Sequence, residues 1–284
     1  MSDYLVLTKA RITALVMLTA AAGFCLASPD RIDLARLTAL LLGTALASGG
    51  AAALNQYLER EEDSRMTRTA SRPLPAGRIS PAHGLALGLL LSLTGVGWLA
   101  WRIDVLTSAL ALVTILLYVA VYTPLKHRTP LNTLVGAIPG AIPPMMGWTA
   151  VTGTLETGAW VLFGILFLWQ LPHFLAIAWL FRDDYARGGF PMLPVVDQDG
   201  ATGRQVALYT AALIPVSLAP TLLGLTGPVY FFGALALGVA FLGFGLALAL
   251  GHGRAGARRL LLASVTYLPV LLILLVADRA GAGR

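Results

Sequence analysis

Three oxygen-bearing side chains, Asn55, Glu59 and Asp63, stand four residues apart at the head of the stretch Asn55 to Pro75. On a helix each such step turns about 40° past a full turn and rises about 6 Å, so the three form one drifting stripe. They follow an apolar run from Leu34 to Leu54 that is long enough to cross a bilayer. The stripe therefore lies at a membrane edge, on a helix end whose partial charge is already negative. Carboxylates in that position need a cation. A divalent metal with a bound diphosphate would supply it; on spacing alone, a solvated acidic–basic loop between two membrane helices is the open alternative.

A second acidic pair, Asp183 and Asp184, closes another apolar span, and the interior of that span holds Gln170 and His173 around Pro172. Polar side chains inside a membrane helix are costly and usually face the protein interior or a cavity. A histidine hydrogen-bonded to a neighbouring helix is the plain alternative to a ligand. Pro139, Pro143 and Pro144 interrupt a further span, and irregular backbone at membrane depth is tolerated where it is buried in protein or lines a cavity. A kinked packing helix is the competing possibility there. Lys9, Arg68, Arg72, Lys126, Arg128 and Arg182 fall near the same membrane face as the two acidic clusters. Mg²⁺ prefers a few carboxylates together with phosphate oxygens and water, and basic side chains neutralise a departing diphosphate. An apolar interior behind such a site would hold an isoprenoid tail. The chemistry implied is prenyl transfer from an allylic diphosphate, with Tyr57, Tyr122, Trp169 and Tyr185 available to face a carbocation.

The elements that must position these groups are membrane helices. The 284 residues are 57% hydrophobic and 12% charged, and the mean hydropathy is +0.77. The fold class is all-α: a single polytopic membrane domain over residues 1–284, with nine apolar spans near 11–28, 35–58, 84–101, 105–122, 134–152, 158–181, 205–224, 228–250 and 258–277. No removable signal peptide is expected. The lone Cys25 excludes an internal disulfide and a cysteine-based metal cluster. With the N-terminus inside, fifteen Lys and Arg fall on inner segments, the loop around His252 among them, and five on outer ones: Arg31, Arg36, Arg102, Arg279 and Arg284. That asymmetry is the positive-inside pattern, and it accounts for the net charge of +6 without any nucleic-acid partner. Gly233, Gly238, Gly243 and Gly245 read as helix packing, and Arg72-Pro73-Leu74-Pro75 as an extended exit from the second helix.

At this point a family resemblance becomes specific. Asn55-x-x-x-Glu59-x-x-x-Asp63 followed by Met66-x-Arg68-Thr69-x-x-Arg72-Pro73-Leu74 resembles the first signature of the intramembrane UbiA-type prenyltransferases. Tyr122-Thr123-x-Leu125-Lys126-x-x-Thr129, Gly140-x-x-Pro143-Pro144-x-x-Gly147-Trp148, Trp169-Gln170-x-Pro172-His173-Phe174 and Asp184-Tyr185 with Phe190 to Pro194 are similar to the branch that makes haem O. The match runs from about Leu7 to Val196. It implies nine helices around a central cavity, farnesyl diphosphate and haem b as substrates, Mg²⁺ dependence, and farnesyl addition to a haem vinyl group with hydration. It also implies a bacterial-type plasma membrane with the active-site loops on the cytoplasmic side, and a product used by a haem A synthase or a terminal oxidase assembly. Residue by residue, it puts Asn55, Glu59 and Asp63 at a first metal–diphosphate site and Asp184 at a second. Lys9, Arg68, Arg72, Tyr122, Lys126, Arg128, Asn132, Gln170, Arg182 and Tyr185 would contact substrate, and His173 would orient or ligate the haem. Two positions depart from the pattern: Glu59 stands where aspartate is usual, and Gly188 where many relatives carry a further aspartate. Asp183 would stand about 100° away on a helix. Transfer to an aromatic acceptor, transport of an anionic isoprenoid or haem, and a structural role in oxidase assembly are the competing functions.

Overall fold

The computed structural model describes residues 3–28, 31–251 and 253–279; His252 and Arg284 lie outside them. Among the described residues nine helices are long and apolar enough to cross a membrane: Ala10–Ala27, Leu34–Leu58, Pro81–Arg102, Val105–Leu125, Asn132–Thr152, Thr157–Leu180, Ala201–Leu222, Pro228–Ala249 and Gly253–Ala277. Inside a bilayer every backbone polar group must find its partner within the chain, which a helix achieves residue by residue. The expected count holds. The third, seventh and ninth spans begin three to five residues earlier than hydropathy suggests, because polar caps and loops start them: Ser80 Oγ accepts from His83 N–H, and Asp197 accepts from Thr202 N–H.

Each span packs on its successor, and the ninth packs against the first, so the helices close into a ring. The first span also packs tightly on the fifth, and the sixth on the ninth, which draws these four toward the middle. The third, seventh and eighth spans give no residue to the central cavities described below and form an outer wall. Close approach is made by small residues, since lipid gives no hydrophobic drive for helices to associate. A Cβ on Gly95 of the third span would come within 2.5 Å of the Ala47 backbone nitrogen on the second. Of the four glycines expected to pack helices, Gly238 and Gly245 face the seventh span, Gly233 faces the ninth, and Gly243 faces open space.

Two departures from the sequence expectation matter for the site. The chain enters through a separate short helix, Asp3–Leu7, before the first span begins. The segment after Arg72 is not extended: Ala76 N–H donates to Arg72 O, and Arg78 N–H to Pro73 O, so it folds back in tight turns. Leu74 is then buried with Leu7, Ala53 and Ile79, and that small apolar cluster wins over the local preference set by the prolines.

Replacing Gly95 with Val should destabilise the fold by the ~1–3 kcal/mol typical of overpacking, and so lower the thermal unfolding midpoint in detergent. The control Gly97→Val, where nothing lies within 4 Å, should change it far less. Equal effects would contradict the packing described.

Candidate active site

The helical ladder runs through the stripe without a gap. Glu59 N–H donates to Asn55 O at 3.0 Å and Asp63 N–H to Glu59 O at 2.8 Å, although the second span ends at Leu58 and a short helix, Arg60–Arg65, follows. All three side chains are buried, and each is held by a cation. Lys9 Nζ donates to Asn55 Oδ1 at 2.7 Å; Lys126 Nζ reaches both Glu59 oxygens at 3.1 and 3.2 Å; Arg72 Nη1 lies 2.5 Å from Asp63 Oδ2. Burial alone would lift the Glu59 carboxyl, but Lys126 and Lys9 hold it below its ordinary range. Burial likewise works to lower Lys126, and Glu59 outweighs it, so that ammonium stays charged. Lys9 has no such carboxylate in contact, and burial, with Arg72 next, brings it down to about 7.

Lys9 sits where the entry helix meets the first span, with φ of 48°, in the left-handed region that non-glycine residues avoid. Gln56 fixes the neighbouring turn by donating to Val6 O at 3.0 Å and Leu7 O at 2.7 Å. Backbone in such a conformation persists only when its surroundings over-determine it, and that is common at functional sites.

Above the stripe opens a cavity of about 580 Å³ lined by Lys9, Arg11, Arg68, Arg72 and Lys126 against Glu59 and Asp63, with Asn55, Tyr118, Tyr122 and Tyr185. Four cations, joined by Lys9 when it is protonated, against two carboxylates suit a multiply charged anion. Of these cations Arg72 and Lys126 pair with carboxylates, whereas Lys9, Arg11 and Arg68 pair with none among the described residues; the Arg68 guanidinium lies over the rings of Phe181 and Tyr185. A second cavity of about 380 Å³ lies deeper between the helices and is almost wholly apolar, with Gln170, His173 and Trp169 in its wall. Lys9, Ile12, Tyr118, Tyr122, Phe174 and Ile177 line both, so the two spaces meet at a neck. The fourth span widens there into a π-helical turn, Leu117–Tyr122, which stacks Tyr118 on Tyr122 with centroids 5.6 Å apart. Such turns are often found at functional sites.

The broken fifth span lines the apolar cavity. Its helix stops at Ala141 and restarts at Pro143, and Pro139, Gly140 and Pro143 stand in the wall. Gln170 Nε2 donates to Leu166 O at 2.9 Å, and a side chain at Gly140 would run into its amide. His173 Nδ1 lies 2.7 Å from Ser264 Oγ of the ninth span, and its ring stacks on Trp169 at 5.1 Å.

Other expected site residues lie apart. Asp184 does not line either cavity: its two oxygens accept from the backbone N–H of Thr67 and of Arg68, both at 3.2 Å, and it pairs with Arg187. Its burial would raise the carboxyl, but those donors keep it below its ordinary range. Asp184 thus anchors the loop that carries Arg68. Arg128 is exposed away from both cavities, and exposed Arg182 lies 3.7 Å from Asp183 and over Trp179. Asn132 is buried at a helix start, where its amide caps Thr129 O at 2.7 Å, and its neighbour Thr133 is the one in the cavity wall. Tyr57 packs beside Leu7 and Leu74 beneath Arg60. Tyr118, Gln56 and Ser264 escaped the sequence reading. Tyr118 stands four residues before Tyr122, a spacing that could have exposed it; Ser264 is one hydroxyl in a long apolar run and gave no signal.

Among the described residues no three His, Cys, Asp or Glu side chains gather as a self-sufficient metal group. Asp63 Oδ1, however, is buried without a hydrogen-bond partner, beside Glu59 and the Asn55 amide in one wall. One or two carboxylates suffice for Mg²⁺ when substrate phosphates supply the remaining oxygens, so the residues fit.

Residues 16–265 match the model of the UbiA prenyltransferase family. Proteins named protoheme IX farnesyltransferase are similar along nearly the whole chain: that of Solibacter usitatus is 47% identical, covering 99% of this chain and 100% of the relative, and that of Salinibacter ruber is 49% identical over 97% and 98%. Among solved structures, a digeranylgeranylglyceryl phosphate synthase superposes with a TM-score of 0.81 at 15% identity, covering 97% of both chains. A UbiA homologue of Archaeoglobus fulgidus bound to GPP and Mg²⁺ gives 0.69 at 13% identity over 96% and 99%. This chain is an integral, multi-pass membrane protein of the UbiA prenyltransferase family.

Proposed function

We propose that the chain transfers the farnesyl group of farnesyl diphosphate to a vinyl group of haem b, with addition of water, and releases diphosphate and haem O. The observation that carries this is the pair of joined cavities, cation-rich at the membrane edge and apolar behind it, in a chain 44–49% identical to proteins named protoheme IX farnesyltransferase. The diphosphate lies among Lys9, Arg68, Arg72 and Lys126, and the prenyl chain passes the Tyr118–Tyr122 neck into the apolar space. Mg²⁺ held by Asn55, Glu59 and Asp63 would supply positive charge to the leaving diphosphate. The C1–oxygen bond of the substrate breaks, C1 bonds to the terminal vinyl carbon, and the adjoining carbon takes the oxygen of water, whose proton is lost. Tyr118 and Tyr122 present ring faces where positive charge develops on the prenyl carbon. The apolar wall keeps water from the cation until the carbon–carbon bond has formed. His173 faces the same space and orients the haem. The chain lies in a bacterial-type plasma membrane with its N-terminus and the loops of the site in the cytoplasm, as the distribution of Lys and Arg favours. Its product passes to a haem A synthase or a terminal oxidase.

Transport of an anion is the weaker reading, because the buried Asp63 Oδ1 left without a partner among the cations of the cavity suits binding with a metal rather than passage.

Haem extracted from membranes incubated with haem b, farnesyl diphosphate and Mg²⁺ should show the farnesylated, hydrated product by mass spectrometry. Asp63→Asn should lower its formation by about 10²–10³-fold, the range for loss of one electrostatic contact to a transition state. No product from folded, intact protein would sink the proposal, and product from an aromatic acceptor instead would redirect it.

A pair of arginine variants separates binding from folding. Arg68→Met removes a cation without stranding a carboxylate, and should raise KM for farnesyl diphosphate about tenfold, or ~1.4 kcal/mol, with the unfolding midpoint unchanged. Arg72→Met strands buried Asp63 and should lower that midpoint as well. Identical behaviour of the two would refute the distinction.

A further inference from the structure

Ser264 belongs to the ninth span and is fully buried, far in sequence from every motif of the site. Its hydroxyl makes two short contacts: Leu261 O at 2.6 Å and His173 Nδ1 at 2.7 Å. A hydroxyl has one proton to give. Were that proton given to Nδ1, the serine oxygen and the Leu261 carbonyl oxygen would face each other at 2.6 Å with no hydrogen between them. Giving it to Leu261 O leaves the serine oxygen free to accept, and the imidazole must then carry its proton on Nδ1. Both contacts are satisfied in that arrangement alone. Nε2 keeps its lone pair, and it has no hydrogen-bond partner among the described residues, while His173 stands in the wall of the apolar cavity.

The ring is held in other ways too. Trp169 stacks on it with planes 20° apart, and the Trp169 indole N–H donates to Ser264 O at 2.9 Å. One residue of the ninth span therefore fixes the imidazole directly through its hydroxyl and indirectly through the indole that lies against it. A histidine that ligates iron through one ring nitrogen nearly always donates the other N–H to a fixed acceptor.

We infer that Ser264 is a positioning residue: it locks His173 in the Nδ1–H tautomer so that bare Nε2 ligates the iron of the haem substrate and sets which vinyl edge meets the prenyl carbon. This rests on the haem-farnesylating reading for the iron ligand, but the tautomer stands on geometry alone.

The test uses the full-length chain in detergent with ¹⁵N-labelled histidine. The chain has four histidines, so the His173 signals are assigned by their loss in His173→Gln. In the ligand-free protein Nδ1 is expected to be protonated and Nε2 bare. Ser264→Ala should move the ring toward the Nε2–H form, and Ser264→Thr, which keeps the hydroxyl, should restore it. With ferric haem b as the probe, the intact chain and Ser264→Thr should give the absorption spectrum of nitrogen-ligated iron. Ser264→Ala should weaken haem binding by about 10–100-fold, and His173→Gln should abolish the nitrogen-ligated spectrum. An Nε2–H tautomer in the intact chain overturns the role of Ser264 without need of any variant, and so does unchanged haem affinity in Ser264→Ala. A haem spectrum unaffected by His173→Gln overturns the iron ligand. Failure of the farnesyl-transfer reading shows itself separately, as absence of farnesylated haem from the intact chain.

Discussion

Charge buried at a membrane boundary is the constraint on which this structure turns. Glu59 and Asp63 are 2% and 0% exposed at the end of an apolar helix, where an unpaired carboxylate would be severely penalised. Lys126 and Arg72 offset that penalty, and to do so they must be brought from two other parts of the chain. A buried ion pair seldom adds much net stability, because desolvating both partners cancels most of their attraction. What the pairs do achieve is placement. The loop after the second span is pulled back over its own helix end by Arg72, and the loop after the fourth is drawn in by Lys126. Asp184 completes the arrangement from the sixth span by gripping the backbone at Thr67 and Arg68. Cations that first serve to compensate carboxylates are thereby gathered around one cavity, the one in which the proposed diphosphate would lie. Preorganised charge of this kind needs no reorientation at the moment a bond breaks.

The second requirement is a gradient from polar to apolar over a few residues. Tyr118 and Tyr122 serve both sides of it: rings toward the deep cavity, and in Tyr118 a hydroxyl that takes a hydrogen bond from Lys9 at 3.1 Å and gives one to Asn55 at 3.2 Å. An ordinary α-helical spacing of four would put the two rings on one face, and the wider π turn brings them into a stack at the neck. The prolines of the fifth span act similarly. They remove backbone donors that lipid could not replace, so the break is stable only where protein surrounds it, and every residue from Ala141 to Ala150 is buried.

The fold was legible because its drive is compositional: nine long apolar runs leave little freedom in the count of spans. The stripe was legible for a similar reason, since a spacing of four survives any small change in where the helix is said to end. What could not be seen was partnership across the chain. Asp184 has the residue type of a metal ligand, yet it sits at the loop backbone, because the N–H groups of Thr67 and Arg68 were left unbonded by the turns that follow Met66. Arg128 and Arg182 have the right charge on the right face, but short loops leave them pointing to the outside. The turns after Arg72 contradict the expected extended exit because Leu74 finds an apolar pocket beside Leu7, a contact across more than sixty residues of sequence that no local preference encodes. Lys9 shows the same limit. Its charge reads as a topological marker, and its left-handed backbone and its bond to Asn55 become visible only once the entry helix is in place.

The ninth span carries the argument furthest from sequence. By composition it is scaffold: apolar, with cations only in its first two turns. Ring closure sets it against both the first and the sixth spans, and Leu268 and Ser264 thereby reach the deep cavity and the histidine in its wall. The site is therefore not contained in the motif-bearing part of the chain, which ends near Val196. Its apolar half is finished by a helix that begins at Gly253, so the geometry around His173 depends on the whole ring having closed. A membrane enzyme that must keep water from a carbocation has a physical reason for that arrangement. The ninth span closes part of the deep cavity's wall at Leu268, so the space in which such chemistry would be kept from water includes the last helix.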